Sequence, residues 1–211
     1  MRRRLWTGAP SSFHGDEELA DDLAAVAAAG GHGADEMPFS FPWTDGGAEK
    51  RARTTFQHVL STIAAWQPEQ WTLSLAVLHE GTVVGRQDLT ASDFSVTKEA
   101  QTGSWLGLAH QNQGFGTEMR AGVAHLAFRG LGARTLTSGA MTDNPRSMAV
   151  SRKLGYHQDG IETVSVRGGA RTIQRLRLDR ASWEAHRSVT VELHGLEDCR
   201  EFFGAERTTT A

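Results

Sequence analysis

Cysteine is almost missing from this sequence. Cys199 stands alone, which excludes an intramolecular disulfide and any thiolate-based metal cage. Metal-ligating histidine patterns are missing too, because the nine histidines never fall into an HExxH or other paired spacing; no metal centre is expected. Neither charge is in excess, with Lys+Arg 22 against Asp+Glu 25. A polyanion would therefore find no general attraction, and nucleic acid is not expected as a partner. No apolar run approaches the roughly 18 residues of a membrane span, and "MRRR" is not followed by the apolar core of a signal peptide. The chain is read as soluble and cytoplasmic.

What the chain does have suffices for one domain. With 211 residues, 39% of them hydrophobic, it can bury a substantial core, and 1–211 is read as a single unit. "AAVAAAGGHG" is an alanine-rich helix end with a glycine stop, so Asp16 to Ala29 is predicted helical. In "MPFSFPWTDGG", Pro38 and Pro42 hold the chain extended while Phe39, Phe41 and Trp43 supply apolar surface. Those rings either pack on the core or wall a substrate pocket. A second helix covers Ala48 to about Trp66, and alternation from Trp71 to Leu89 around "HEGT" predicts a β-hairpin. Gln101 to Leu108 reads as a strand, Met119 to Ala127 as a helix, and "RTLTSGAM" as a buried strand. Asn144 and Pro145 open a further helix stopped by Gly155. Two strands joined at Gly168-Gly169 follow, then a short helix from Asp179 to Arg187, and "SVTVELHG" is expected to add an edge strand.

The informative stretch is "SWLGLAHQNQGFGTEMR", Ser104 to Arg120. A dinucleotide fingerprint would need glycine or alanine where Met119 stands, and a P-loop would need a Gly-Lys pair, which occurs nowhere. What remains is a strand running through a tight loop into a helix whose unpaired N–H groups can grip a pyrophosphate. Glycine at 114 and 116 lets phosphates approach the backbone closely.

"QNQGFG" resembles the Q/R-x-x-G-x-G/A coenzyme A loop of the GNAT acyltransferases, and "NPRSMAVSRKLGY" is similar to that superfamily's second conserved helix. The match covers about Trp71 to Trp183, leaving 188–211 as a C-terminal extension, and Ser147 makes it most similar to the branch that acetylates ribosomal-protein N-termini and related amines. The resemblance implies an α+β, three-layer GNAT fold, a mixed and mostly antiparallel sheet flanked by helices. Coenzyme A would lie at the strand-to-helix loop. It further implies that Trp105, Leu106, Gly107 and Leu108 offer main-chain groups to the pantetheine arm. Gln111 and Gln113 belong to the loop motif, and the amides of Gln113, Gly114, Phe115, Gly116 and Thr117 would bind the pyrophosphate. Asn144 would bond the pantetheine amide as well as capping its helix. Many members carry a tyrosine that protonates the departing thiolate; Ser151 stands at that position here, so the role passes to Ser147, whose bland alternative is a polar residue at a helix start. The family's first strand is hardly visible in "MRRRLWTGAPSSF".

The implied reaction is direct attack of an amine on an acyl-CoA, acetyl-CoA by family default with succinyl as another option and no metal, onto a small-molecule amine or a protein N-terminus. Asp88, Glu99, Glu36 and His110 are candidate bases, but the carboxylates read more readily as ordinary solvated groups and His110 is as ambiguous, so none is assigned. Phe39, Phe41 and Trp43 are expected to border the acceptor. Arg171, Arg175 and Arg177 share one strand face and suit a solvated surface or a homodimer salt-bridge patch better than a substrate site. The reading from a different class is a coenzyme A-binding sensor or partner-binding module without turnover.

Overall fold

The computed structural model describes residues 4–6 and 13–205, with side-chain detail from residue 18 onward. A seven-stranded sheet runs in the order β1-β2-β3-β4-β5-β7-β6. Its strands are β1 (Arg4–Trp6), β2 (Gln70–His79), β3 (Thr82–Ser92), β4 (Glu99–Leu106), β5 (Thr135–Met141), β6 (His157–Val166) and β7 (Gly169–Asp179). Every neighbouring pair is antiparallel except β4 and β5. The family strand that the sequence hardly showed is thus present as β1, three residues paired with β2.

The helices are α1 (Phe13–Ala29), α2 (Ala48–Ala64), a single turn α3 (Phe94–Thr97), α4 (Phe115–His125), α5 (Pro145–Lys153) and α6 (Arg180–His186). A π-helical turn, Leu126–Gly130, continues α4. α1 and α2 cover the front of β2–β4, where Leu23, Ala27 and Val59 meet Val83 and Trp105. The back is sealed by α4, its π turn and α6, with Phe128, Leu136, Leu178 and Trp183 in one cluster. Alternation does this sorting: in β7, Leu176 and Leu178 point back into that cluster, while Arg171, Ile173, Arg175 and Arg177 point forward.

Two boundaries differ from the sequence reading. The last hairpin turns at Arg167-Gly168, both at positive φ (52° and 77°), as a two-residue turn requires, rather than at Gly168-Gly169. Residues 188–195 form no strand. Val189, Leu193 and Leu196 pack instead against the back cluster, and a 3₁₀ helix (Glu197–Phe203) follows. Phe203 packs edge-on against the stacked pair Trp66 and Trp71, at centroid distances of 5.2 and 5.0 Å. Both indoles also donate to this segment's carbonyls, Trp66 to Phe202 at 2.9 Å and Trp71 to Phe203 at 3.2 Å. Burying a large ring and pairing two indole N–H groups outweighed the β-pattern of "SVTVELHG".

Candidate active site

The site begins where the sheet comes apart. β4 and β5 pair in parallel only from Glu99↔Thr135 to Gln101↔Thr137. Beyond that the strands diverge, and side chains take over from main chain at the fork. Ser138 Oγ donates to Thr102 O at 3.2 Å, and Thr102 Oγ1 donates to Thr137 O at 3.4 Å. Past the fork lies a cleft of about 1360 Å³.

Direction along β4 decides which main-chain groups face this opening. Thr102 O accepts from β5, and Leu106 O accepts from Gln111 Nε2 at 3.2 Å. Residues 102, 104 and 106 therefore turn their N–H and C=O groups into the cleft. Trp105 turns its own toward β3, where a Cβ on Gly85 would sit 2.4 Å from its oxygen. The amides of Gly107 and Leu108 are already bonded, to Val84 O at 3.0 Å and Gly30 O at 2.9 Å. Of Trp105, Leu106, Gly107 and Leu108, the resemblance's main-chain candidates, Leu106 turns its main chain toward the cleft, and Ser104 does so beside it.

The loop into α4 matches its sequence reading more closely. Gly114 is the N-cap at φ 88°, with no side chain capping the helix. Among the described residues, the amides of Gln113, Gly114 and Gly116 donate to no protein acceptor, whereas Thr117 N bonds Gly114 O at 3.1 Å. Phe115 is buried at the head of α4 with its ring 4.8 Å from that of His79. Gln111 is a strut: its Nε2 donates to Gly31 O at 2.7 Å as well as to Leu106 O, tying the loop to the end of α1. Gln113 Nε2 braces Ala109 O at 2.8 Å.

α5 supplies the opposite wall. Asn144 Oδ1 accepts from Ser147 N at 3.1 Å, a side-chain N-cap just before Pro145. Asn144 and Ser147 both line the cleft, and the Ser147 hydroxyl makes no hydrogen bond with any described residue. Ser151 differs. It is fully buried, donates to Ser147 O at 2.9 Å and accepts from Arg120 Nη1 at 2.9 Å, so its proton is committed to a carbonyl.

The loop between α1 and α2 crosses the cleft as a strap. Its middle is aromatic: Phe39 lies 5.1 Å from Trp43, and Trp43 lies 5.2 Å from Trp105 of β4. Phe39 also joins buried Met37 against Met141 and Val166 of the other half-sheet. Phe41 is 70% exposed. The ends are ionic, Glu36 pairing with Arg146 of α5 and Asp45 with Arg167 of the last turn. Asp45 sits below the usual carboxylate range, chiefly because Arg167 hydrogen-bonds it. Of the three rings named from sequence, two are thus packed and one is free.

Each candidate carboxylate base already has a cation. Asp88 faces the cleft with Arg86 at 3.0 Å and His58 at 3.7 Å; Glu99 is bonded by Arg177 at 2.7 Å; Glu36 is held by Arg146. His110 does not line the cleft. The arginines of β7 do, on a partly exposed face where Arg171 pairs with Asp143 at 2.6 Å and exposed Arg175 is held by Asp159 O at 2.8 Å. Among the described residues, no group of histidine, cysteine and carboxylate side chains is arranged to hold a metal, and no helix is long and apolar enough to cross a membrane. The sequence reading missed Arg120, Thr102 and Ser138 at the fork. Only the placement of an arginine amid the apolar residues of "FGTEMRAGVAH" hinted at the first.

A forked sheet closed by a helix N-terminus with free amides is the arrangement the glycine loop implied, and the family comparison agrees. Residues 17–157 match the model of the acetyltransferase (GNAT) domain. The chain belongs to the GNAT acetyltransferase family. Among solved structures, this GNAT domain is similar to Mycobacterium smegmatis RimJ in complex with CoA-disulfide, with TM-score 0.64 and 16% identity, covering 85% of this chain and 86% of that one. A Vibrio cholerae protein described as a ribosomal-protein-serine acetyltransferase gives TM-score 0.60 at 16% identity, covering 85% and 94%. A spermidine N-acetyltransferase SpeG chimera from Vibrio cholerae and hSSAT gives 0.63 at 12%, covering 88% and 99%. At such identities these likenesses speak for the fold.

Proposed function

We propose that this GNAT domain transfers an acyl group from acyl-CoA to the primary amine of a small molecule or of a peptide or protein N-terminus. The observation that carries the reading is the β4–β5 fork with free amides at its open end. The amides of Gln113, Gly114 and Gly116 would hold the pyrophosphate at the positive end of α4. Ser104 and Leu106 would pair main chain with the pantetheine arm, and Asn144 can share its side chain between the Ser147 amide and that arm. The bound thioester supplies an electrophilic carbonyl and a sulfur leaving group. As the acceptor nitrogen bonds to the carbonyl carbon, the C–S electron pair stays on sulfur, the Ser147 hydroxyl delivers the proton that sulfur takes up, and the proton lost by the amine to water is returned through water to Ser147. Ser147 is suited to this because its hydroxyl is uncommitted and faces the cleft.

The charge state of the acceptor follows from the carboxylates. A lysine near pKa 10.4 is about 3.4 units, or roughly 4.6 kcal/mol, from neutral at pH 7, whereas an α-amine near 7.7–8.0 is about one unit away. With Asp88, Glu99 and Glu36 all bonded to cations, the cleft is better matched to an α-amine, which needs only water as base. The decisive experiment is thiol release from acyl-CoA across a panel of amines and dipeptides. Turnover with α-amines above ε-amines supports the proposal; tight coenzyme A binding without turnover on any amine would establish a binding module instead.

A further inference from the structure

Arg120 is 5% exposed, and among the described residues its charge has no counter-ion. It reaches from α4 to the closed end of the fork. There Nη1 donates to Ser151 Oγ at 2.9 Å and Nη2 to Ser138 Oγ at 3.4 Å, with the Tyr156 ring 5.0 Å from the guanidinium carbon. The other cleft-lining arginines are treated differently. Arg86, Arg146, Arg167, Arg171 and Arg177 each pair with a carboxylate, and exposed Arg175 is held by a main-chain carbonyl. Among the described residues no carboxylate pairs with Arg120. A buried guanidinium is costly to desolvate unless something anionic completes it, and two hydroxyls and a ring face replace only part of its hydration. Both hydroxyls are themselves polarised toward it, since Ser151 and Ser138 each spend their proton on a carbonyl, Ser147 O and Thr102 O, and turn lone pairs to the arginine.

The position matters as much as the charge. Arg120, Thr102 and Ser138 line the cleft at the end where β4 and β5 close, and Ser151, which accepts from Arg120, lies one helical turn along α5 from Ser147. If the cleft takes acyl-CoA as proposed above, its acyl group points toward this end. The walls there are hydroxyls and a guanidinium. A methyl group gains nothing from such walls, whereas a carboxylate would find a cation with N–H groups to spare, because only two of the five donors are spent on protein. We infer that Arg120 forms a subsite for an acyl group ending in a carboxylate, so that the donor is a short dicarboxylic monothioester such as succinyl-CoA rather than acetyl-CoA. The bond changes are those of the transfer already described: N–C forms, C–S breaks, and the distal carboxylate remains a spectator paired with Arg120.

Titration of the full chain with succinyl-CoA and with acetyl-CoA tests this without an acceptor. One charge-assisted bond in a buried site corresponds to a preference for succinyl-CoA of about 10- to 100-fold. Arg120→Met should abolish the preference and Arg120→Lys should retain part of it, with melting temperatures taken alongside. A wild-type ratio near one overturns the inference, and so does a ratio that survives in folded Arg120→Met. If Arg120→Met does not fold, the wild-type and Arg120→Lys ratios decide. Binding of neither thioester would sink the acyl-CoA reading and this inference together, whereas equal binding of both sinks the inference alone.

Discussion

Replacing Trp43 and Phe41 by alanine, one at a time, separates what the strap does for the fold from what it does for the acceptor. Trp43 sits between Phe39 and Trp105 at centroid distances of 5.1 and 5.2 Å. A fully buried Trp→Ala change costs about 3–5 kcal/mol and each aromatic pair about 0.5–1.5, so half-buried Trp43 should cost about 2–4 kcal/mol. In a domain of this size each kcal/mol moves Tm by about 2–4 °C, so Trp43→Ala should lose roughly 5–15 °C. Phe41, 70% exposed, should cost under about 0.5 kcal/mol and leave Tm within about 2 °C. If Phe41 meets the acceptor, its removal should raise the acceptor KM by about 3- to 10-fold, or about 0.7–1.4 kcal/mol, at unchanged coenzyme A affinity. Thermal melting and steady-state kinetics at saturating acyl-CoA measure both. Equal Tm losses in the two variants would refute the division of the strap into core and free rings, and an unchanged KM in Phe41→Ala would move the acceptor elsewhere.

Three further outcomes are expected. A Cβ at Gly116 would meet Leu106 and Val150 at 3.8 and 3.9 Å, ordinary contact distances, so Gly116→Val should fold yet weaken coenzyme A binding by about 10-fold or more by filling the approach to the amides; an unchanged Kd in titration would place the pyrophosphate elsewhere. Ser147→Ala should lower kcat by about 10²-fold with little change in Tm, whereas Ser151→Ala should lower stability by about 1–3 kcal/mol, because Arg120 loses an acceptor; the reverse pattern in kcat and Tm would hand the proton-donor role to Ser151. Burial, reinforced by Arg187 and then Arg129, holds the His125 imidazole below its usual 6.5. The unfolded chain therefore takes up the proton first, and stability that is complete above about pH 6.5 is lost as pH falls below it, by at most about 1.4 kcal/mol per unit. His125→Gln should flatten Tm between pH 7.5 and 5.5, and an equally steep profile in that variant would exclude His125 as the source.

Local motifs were legible because their physics is local. The glycine loop, the Asn144-Pro145 cap and the alternating hairpin need only neighbouring residues, and each stands where the sequence puts it. β1 was nearly invisible, since three residues carry no period and are held by pairing with β2. "SVTVELHG" misled for the converse reason: its alternation is real, but the back cluster claims that segment through Val189 and Leu193. Arg120 left only the hint of an arginine among apolar neighbours. α4 is buried on nearly every side around it, from Met119 to Ala124, so periodicity offers no polar face on which to place an arginine. Which main-chain groups face the cleft likewise depends on strand parity, fixed only once β4 is paired.

The strap joins two kinds of bond whose responses to the medium differ. Its rings lie in apolar packing, while Glu36–Arg146 and Asp45–Arg167 close its ends with half-exposed charges. Salt screens the second kind and hardly touches the first. Raising ionic strength should therefore unfasten the cleft's mouth at both edges while the ladder through Trp43 keeps the centre in place, like a cover loosened at its corners but still pinned in the middle. Because Arg146 is the residue directly before Ser147, one of those corners is also the start of the helix that carries the proposed proton donor, and under that proposal the acceptor's doorway and the leaving group's chemistry would share a single ionic latch.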